Sequence, residues 1–142
     1  MYIHEIQLRV RYAETDKMGV VYHGNYAQYF EVARVEMLRS VGVSYSSMED
    51  SGIMLPVVNL NIDFRKPALY DELLRVKTTL KDLPGVRIHF DYELFNQKDE
   101  LLANASTDLV FVDMENKRPK RCPDYLLEKL KPYFEGGVNY LA

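Results

Sequence analysis

Residues 13–38 read AETDKMGVVYHGNYAQYFEVARVEML, and a change of rhythm inside them decides the fold. Up to Gly24 the chain is a loop, with Gly19 and Gly24 as its flexible points. From Asn25 onward Tyr26, Tyr29/Phe30, Ala33, Met37/Leu38 and Val41 recur at three- and four-residue steps. That spacing predicts an apolar helical stripe of about five turns, with Gly42 placed to stop it. Upstream, IHEIQLRVRY (3–12) brings Ile3, Ile6, Leu8, Val10 and Tyr12 close to alternation, which suits a half-buried strand. A strand therefore runs into a short loop carrying an acid, Asp16, and a histidine, His23, and the loop opens into a long helix.

The remainder is mostly strand. SYSSMEDSG (44–52) reads as a short helical turn capped by Ser44 or Ser46. In IMLPVVNLNIDFRK (53–66) Val58, Leu60, Ile62 and Phe64 alternate with Asn59, Asn61, Asp63 and Arg65, and Pro67 ends the run. ELLRVKTTLKDL (72–83) is the next strand and LPGV (83–86) a turn. RIHFDYELFNQ (87–97) and LLANASTDLVFVDM (101–114) flank a polar turn at KDE. PDYLLEKLKPYF (123–134) is a second helix with Pro123 at its first turn. One long apolar helix must bury its stripe, and the face of a sheet built from strands in consecutive hairpin-like order is the only large surface to receive it. The expectation is an α+β domain over 1–142, a curved antiparallel sheet of about five strands around one central helix, with a short C-terminal helix. A leftover sheet edge favours pairing with a second copy.

Composition narrows the function classes. The 142 residues are 47% hydrophobic and 27% charged, globular values without a sign of disorder, and the net charge is −3. No broad cluster of Lys and Arg could neutralise a row of phosphates, so nucleic acid is not expected as a partner. The single cysteine, Cys122, has no disulfide or metal-ligand partner in sequence; four cations in KRPKRCPDY could lower its pKa, but an unpaired cytosolic thiol is the favoured reading. His4, His23 and His89 are dispersed and no metal pattern appears. Glu5 and Arg9 interrupt what would be the apolar part of a signal peptide, and no run of about 18 apolar residues exists. A cytoplasmic protein with no integral membrane segment is expected. No phosphate-cradling glycine loop is present.

The run YAETDKMGVVYHGNYAQYFEVARVEML resembles the signature of the hotdog-fold acyl-CoA thioesterases, the 4-hydroxybenzoyl-CoA thioesterase-like family that includes the Tol-Pal-associated thioesterases. The resemblance lies in T-D-x-x-G-V-V-Y-H-x-x-Y followed by F-E-x-x-R, here Thr15, Asp16, Gly19, Val20, Val21, Tyr22, His23, Tyr26, Phe30, Glu31 and Arg34. DFRKPALYDELLRV (63–76) is a looser second match, and the order of elements fits as far as about residue 115. The resemblance implies a hotdog fold, hydrolysis of an acyl-CoA, and a homodimer or homotetramer. No metal or organic cofactor is implied, coenzyme A being part of the substrate.

Thioester hydrolysis needs a nucleophile or base beside the carbonyl and donors for the oxyanion. The resemblance assigns the first role to Asp16, as nucleophile or general base; spacing alone would equally suit a solvated turn residue. By position, the backbone N–H groups around His23 and Gly24 at the helix start suit the second role. The His23 imidazole is expected to support the site by hydrogen bonding, an acid role staying open. Tyr22 and Tyr26 are candidates to line the acyl or pantetheine channel. Glu31 and Arg34, three apart on the helix, are expected to pair. Asn59 and Asn61 either reach a neighbouring subunit's site, as the resemblance implies, or are solvated strand positions. Arg65, Lys66 and Arg87 are loose candidates for the phosphates of coenzyme A. An acyl carrier protein as thioester donor, a non-catalytic acyl-thioester-binding module and, more weakly, a hydratase remain as alternatives. Nothing in the sequence sets acyl length or aromatic against aliphatic preference.

Overall fold

The computed structural model describes residues 1–135 and, for the backbone alone, 140–141. In chain order the elements are β1 Tyr2–Arg9, α1 Tyr26–Ser40, α2 Tyr45–Asp50, β2 Ile53–Met54, β3 Val57–Phe64, β4 Leu73–Leu80, β5 Arg87–Phe95, β6 Leu101–Val110, β7 Val112–Asp113, α3 Asp124–Leu130 and β8 Tyr140–Leu141. The five long strands form one antiparallel sheet in the order β3-β6-β5-β4-β1, and β8 adds to β1 in parallel. This is the hotdog arrangement, a sheet around the single long helix α1.

The sheet buries one face. Leu74, Val76 and Leu80 of β4, Ile88, Phe90, Tyr92 and Leu94 of β5, and Ala103 and Leu109 of β6 are all buried. Tyr26, Tyr29, Phe30, Ala33, Met37 and Leu38 of α1 pack into that face. The Phe30 and Tyr92 rings meet at 4.8 Å between centroids. Each fully buried large side chain of this kind contributes about 1.5–3 kcal/mol. The opposite face is a polar lattice of cross-strand ion pairs, among them Arg75–Glu5 at 3.1 Å and Lys81–Asp91 at 3.4 Å. His89 bridges Asp108 at 2.7 Å and Asp91 at 3.1 Å on the same face.

Local chemistry explains the element ends. Gly42 adopts φ +92°. Its N–H donates to Arg39 O at 2.9 Å and the Val43 N–H to Leu38 O at 3.0 Å, which closes the last turn of α1 as a Schellman motif. Ser44, not Ser46, caps α2, accepting the Ser47 N–H at 3.0 Å. Pro123 sits at the N-cap of α3, just outside its first turn.

Several expectations need correction. The 15-residue α1 makes about four turns, since Val41 belongs to its cap. β4, β5 and β6 follow in hairpin order as expected, but β3 does not: it pairs with β6, and two strands, β6 and β5, separate it from β4. Ile3 faces outward opposite Thr79, because Tyr2, Ile6, Leu8 and Val10 supply the inner rhythm, and Tyr12 lies in a separate turn, 78% exposed. The alternation of β3 holds in sequence, but as the terminal strand it is exposed on both faces except at Ile62, which packs against the core. Glu31 and Arg34 form no ion pair among the described residues. Arg34 is buried instead, and although burial opposes its charge, the Tyr92 and Tyr45 phenols beside it hold its pKa above the usual value. Cys122, by contrast, is the unpaired thiol favoured from sequence: burial pushes it up to about 12 in spite of the cations near it.

A Cβ at Gly42 would meet nothing within 4 Å, so Gly42→Ala isolates the conformational cost of a left-handed residue. The expected loss is about 1–2 kcal/mol in urea-unfolding stability.

Candidate active site

Asp16 is held in a tight turn. Its N–H donates to Val20 O at 2.9 Å, Gly19 N–H donates to its carbonyl at 3.1 Å, and Met18 N–H donates to Oδ1 at 2.8 Å. Gly19 needs its φ of +78° to close this turn. The turn is anchored to the 67–70 segment by Val21 N–H to Ala68 O at 2.8 Å and Tyr70 N–H to Gly19 O at 3.0 Å. The expectation of a turn residue is therefore correct for the backbone, while the side chain is exposed and Oδ2 has no partner among the described residues.

The head of α1 lies against the same turn. Residues His23–Asn25 form one 3-10 turn leading directly into α1. Asn25 N–H donates to Tyr22 O and the Tyr26 N–H to His23 O. Among the described hydrogen bonds the N–H groups of His23 and Gly24 have no acceptor, as the geometry of a helix start requires. Gly24 is not needed for its backbone angle. A Cβ there would stand 2.7 Å from a ring carbon of Tyr22, so the small residue makes room for that ring. The Tyr22 ring, 4.4 Å from the His23 ring, leans over the helix start.

Asp16 and His23 open into one cavity of about 340 Å³. Val20, Val21 and Pro67 supply apolar wall, and Tyr26 and Phe64 an aromatic side, their rings 4.9 Å apart. The buried Tyr26 hydroxyl accepts the Ala68 N–H at 3.3 Å, and burial raises its pKa. Arg65 and Lys66 stand at the end of β3 beside Phe64 and line the same cavity. Both are tethered, Arg65 to the Asn104 amide at 3.3 Å and Lys66 to Glu100.

The cavity thus gathers Asp16, His23, Tyr26, Arg65 and Lys66 from the sequence candidates. Tyr22 is adjacent but outside its lining. Asn59 and Asn61 point to the outer face of the edge strand, opposite Asp108 and Ser106, and Asn59 donates to Asp108 at 3.3 Å. Arg87 lies at the start of β5 by a different, smaller cavity with Lys81 and His89. One chain does not bring these three to Asp16. Among the described residues no group of three or more His, Cys, Asp or Glu is placed to hold a metal ion.

Sequence reasoning missed Glu14. Its carboxylate is buried two residues before Asp16 and fully engaged. Oε1 accepts the Arg11 N–H at 2.7 Å and the Tyr29 hydroxyl at 2.9 Å, while Oε2 accepts Arg11 Nε and Nη2 at 3.2 and 3.1 Å. Its carbonyl accepts the Tyr22 N–H and Asn25 Nδ2, both at 2.9 Å. Burial opposes the charge, but the Arg11 N–H, Tyr29 and the Arg11 guanidinium together hold the carboxyl below its usual pKa. Burial and the same carboxylate drive the Tyr29 phenol well above its usual value. The available signal was an acid three residues after Arg11, within reach of both the Arg11 N–H and its guanidinium.

An antiparallel sheet around a single long helix is the fold of the hotdog thioesterases. The Thioesterase-like superfamily profile matches residues 10–130, and the chain belongs to that family. The acyl-CoA thioester hydrolase YbgC of Escherichia coli is 30% identical over 124 residues, 87% of this chain and 92% of its own length. The DHNA-CoA thioesterase of Staphylococcus aureus superposes with a TM-score of 0.89 at 38% identity, covering 99% of both chains. A 1,4-dihydroxy-2-naphthoyl-CoA thioesterase from Synechocystis superposes with a TM-score of 0.84 at 27% identity, over 91% of this chain and 96% of its own. The protein is an acyl-CoA thioester hydrolase of this family. No described helix is long and apolar enough to cross a membrane.

The folded pKa of Glu14 lies below that of the unfolded chain, so its contribution to stability is complete above the ordinary carboxylate range and is lost as pH falls through the folded value. In denaturant titrations from pH 7 to pH 3, Glu14→Gln is expected to lose less stability on acidification than the native protein.

Proposed function

We propose that the Asp16 carboxylate acts on the thioester carbonyl carbon, as nucleophile or as the base that activates water, while the N–H groups of His23 and Gly24 receive the oxyanion. The observation that carries this reading is the cavity shared by Asp16 and the head of α1, with one carboxylate oxygen and two backbone donors left without partners among the described residues. Water adds across the C–S bond to give a carboxylate and the free thiol of coenzyme A. The positive end of α1 favours the developing negative charge. Loss of one such donor typically costs about 3 kcal/mol of barrier. The His23 imidazole orients the thioester, and a thiolate leaves without requiring an acid. No metal or organic cofactor enters the scheme. Tyr26 lines the acyl side, and Arg65 and Lys66 are the cations nearest the cavity for coenzyme A phosphates.

The acyl group we assign is aromatic. Tyr26 and Phe64 offer ring faces and edges along the cavity. Of the similar solved structures, one is named for DHNA-CoA and another for 1,4-dihydroxy-2-naphthoyl-CoA, the latter an aromatic acyl thioester.

The assembly we infer pairs β3 with β3 of a second copy. β3 ends the sheet, and Val58, Leu60 and Phe64 on it are 41–52% exposed. An edge of this length with exposed apolar side chains requires cover. Such pairing would carry Asn59 and Asn61 toward the second copy, which accounts for their distance from their own Asp16.

Thiol release from aromatic, short-chain and long-chain acyl-CoA, beside aromatic acyl–carrier-protein thioesters, tests the reading. The expected result is highest kcat/KM with an aromatic acyl-CoA and a fall on the order of 10³-fold in Asp16→Asn with its circular dichroism unchanged. Full activity of that variant would remove Asp16 from the chemistry; preference for the carrier-protein thioesters would replace coenzyme A as the donor. Light scattering should give a mass at least twice the 16.6 kDa of the chain, reduced to the monomer by Leu60→Pro on the β3 edge.

A further inference from the structure

We propose that Glu14 is the positioning residue that fixes the Asp16 carboxylate relative to the helix-head N–H groups, and so sets the turnover of the site. The inference rests on the reading of Asp16 given above. Two structural arms must hold a fixed separation for that chemistry: the turn that carries Asp16 and the head of α1 that carries His23 and Gly24. Glu14 is tied to both. Through its main chain it accepts from Tyr22, immediately before His23, and from the Asn25 side chain within the helix-head turn. Through its side chain it accepts from Tyr29, one turn into α1. Arg11 anchors it on the near side with three donors, one from the backbone and two from the guanidinium.

Asn25 makes the case specific. It occupies the N-cap position of α1, yet its side chain makes no capping bond to the helix and turns back to Glu14 O instead. A side chain with the chemistry of a helix cap is thus used to join the helix start to the acid-bearing turn. The charge is also matched to the task. A buried carboxylate with all of this donor set stays ionised and accepts from four N–H or O–H groups, which a neutral residue could not do equally. Its own oxygens are saturated, so it is not available to attack a substrate; Asp16, exposed with an oxygen free, is. Displacing a reacting group by about 1 Å costs on the order of a hundredfold in rate, and loosening this tie allows displacement of that kind.

The test measures kcat and KM for an aromatic acyl-CoA in native protein, Glu14→Gln, Tyr29→Phe, Asp16→Asn and the Asp16→Asn/Glu14→Gln pair. Thermal unfolding is recorded for each. Glu14→Gln keeps the shape and removes the charge; Tyr29→Phe removes one donor from the tie and leaves Arg11 in place. The expected result is a kcat lowered about tenfold or more in Glu14→Gln and about threefold or more in Tyr29→Phe, with KM within about twofold. In the Asp16→Asn background the Glu14 change should have no further effect, because its influence passes through Asp16. A folded Tyr29→Phe or Glu14→Gln with native kcat would overturn the inference, as would equal fractional losses from Glu14→Gln with and without Asp16. If Glu14→Gln does not fold, Tyr29→Phe decides alone. Full activity in Asp16→Asn would instead overturn the underlying reading of Asp16.

Discussion

One sheet with one apolar face has a single long helix to cover it, and the remaining features follow from how that helix is seated. α1 lays Phe30, Ala33, Met37 and Leu38 on the sheet, all fully buried. Its first turn is pinned by Tyr26, whose ring meets Phe64 at the end of β3 and whose hydroxyl accepts from Ala68. Seating the helix in this way leaves its head open beside the end of β3 and the 67–70 segment. The same segment anchors the Asp16 turn through Ala68 and Tyr70. The cavity is therefore a consequence of covering the sheet: its walls are the pins of the helix.

Two carboxylates in three residues show how environment divides labour. Glu14 is buried, ionised and saturated with donors, and it joins turn to helix. Asp16 is exposed, lines the cavity and spends one oxygen on the Met18 N–H, the other having no partner among the described residues. The first arrangement suits a strut and the second a reagent. Exchange of the two environments would remove both properties, since a carboxylate already holding four donors has no lone pair free for chemistry.

Much of this was legible in sequence because it is local. The three-to-four spacing from Tyr26 to Leu38, the stop at Gly42, and the alternation in β5 each depend on neighbours within a turn or two. The T-D-x-x-G-V-V-Y-H run marked the loop whose acid and helix head share a cavity. What was not legible depends on contacts distant in the chain. The alternation of β3 is plain in sequence, but its position at the end of the sheet, which leaves all but Ile62 exposed, is not. Hairpin order was the natural reading of four successive strands, but β3 and β4 are separated by two others. Arg34 looked like a surface partner for Glu31 until the fold placed the Tyr45 and Tyr92 phenols beside it. The cations around Cys122 were visible; the burial that outweighs them was not. Glu14 was passed over because a glutamate in a polar loop has no distinctive local pattern beyond its spacing from Arg11.

The central claim is that the thioester carbonyl lies between the Asp16 side chain and the open N–H groups of α1. The most direct measurement is a crystal structure of Asp16→Asn with an intact aromatic acyl-CoA bound. The expected arrangement has the carbonyl oxygen about 2.7–3.1 Å from the N–H of His23 or Gly24, with the residue-16 side chain facing the carbonyl carbon. A thioester held elsewhere, or one whose carbonyl points away from the helix head, would contradict it.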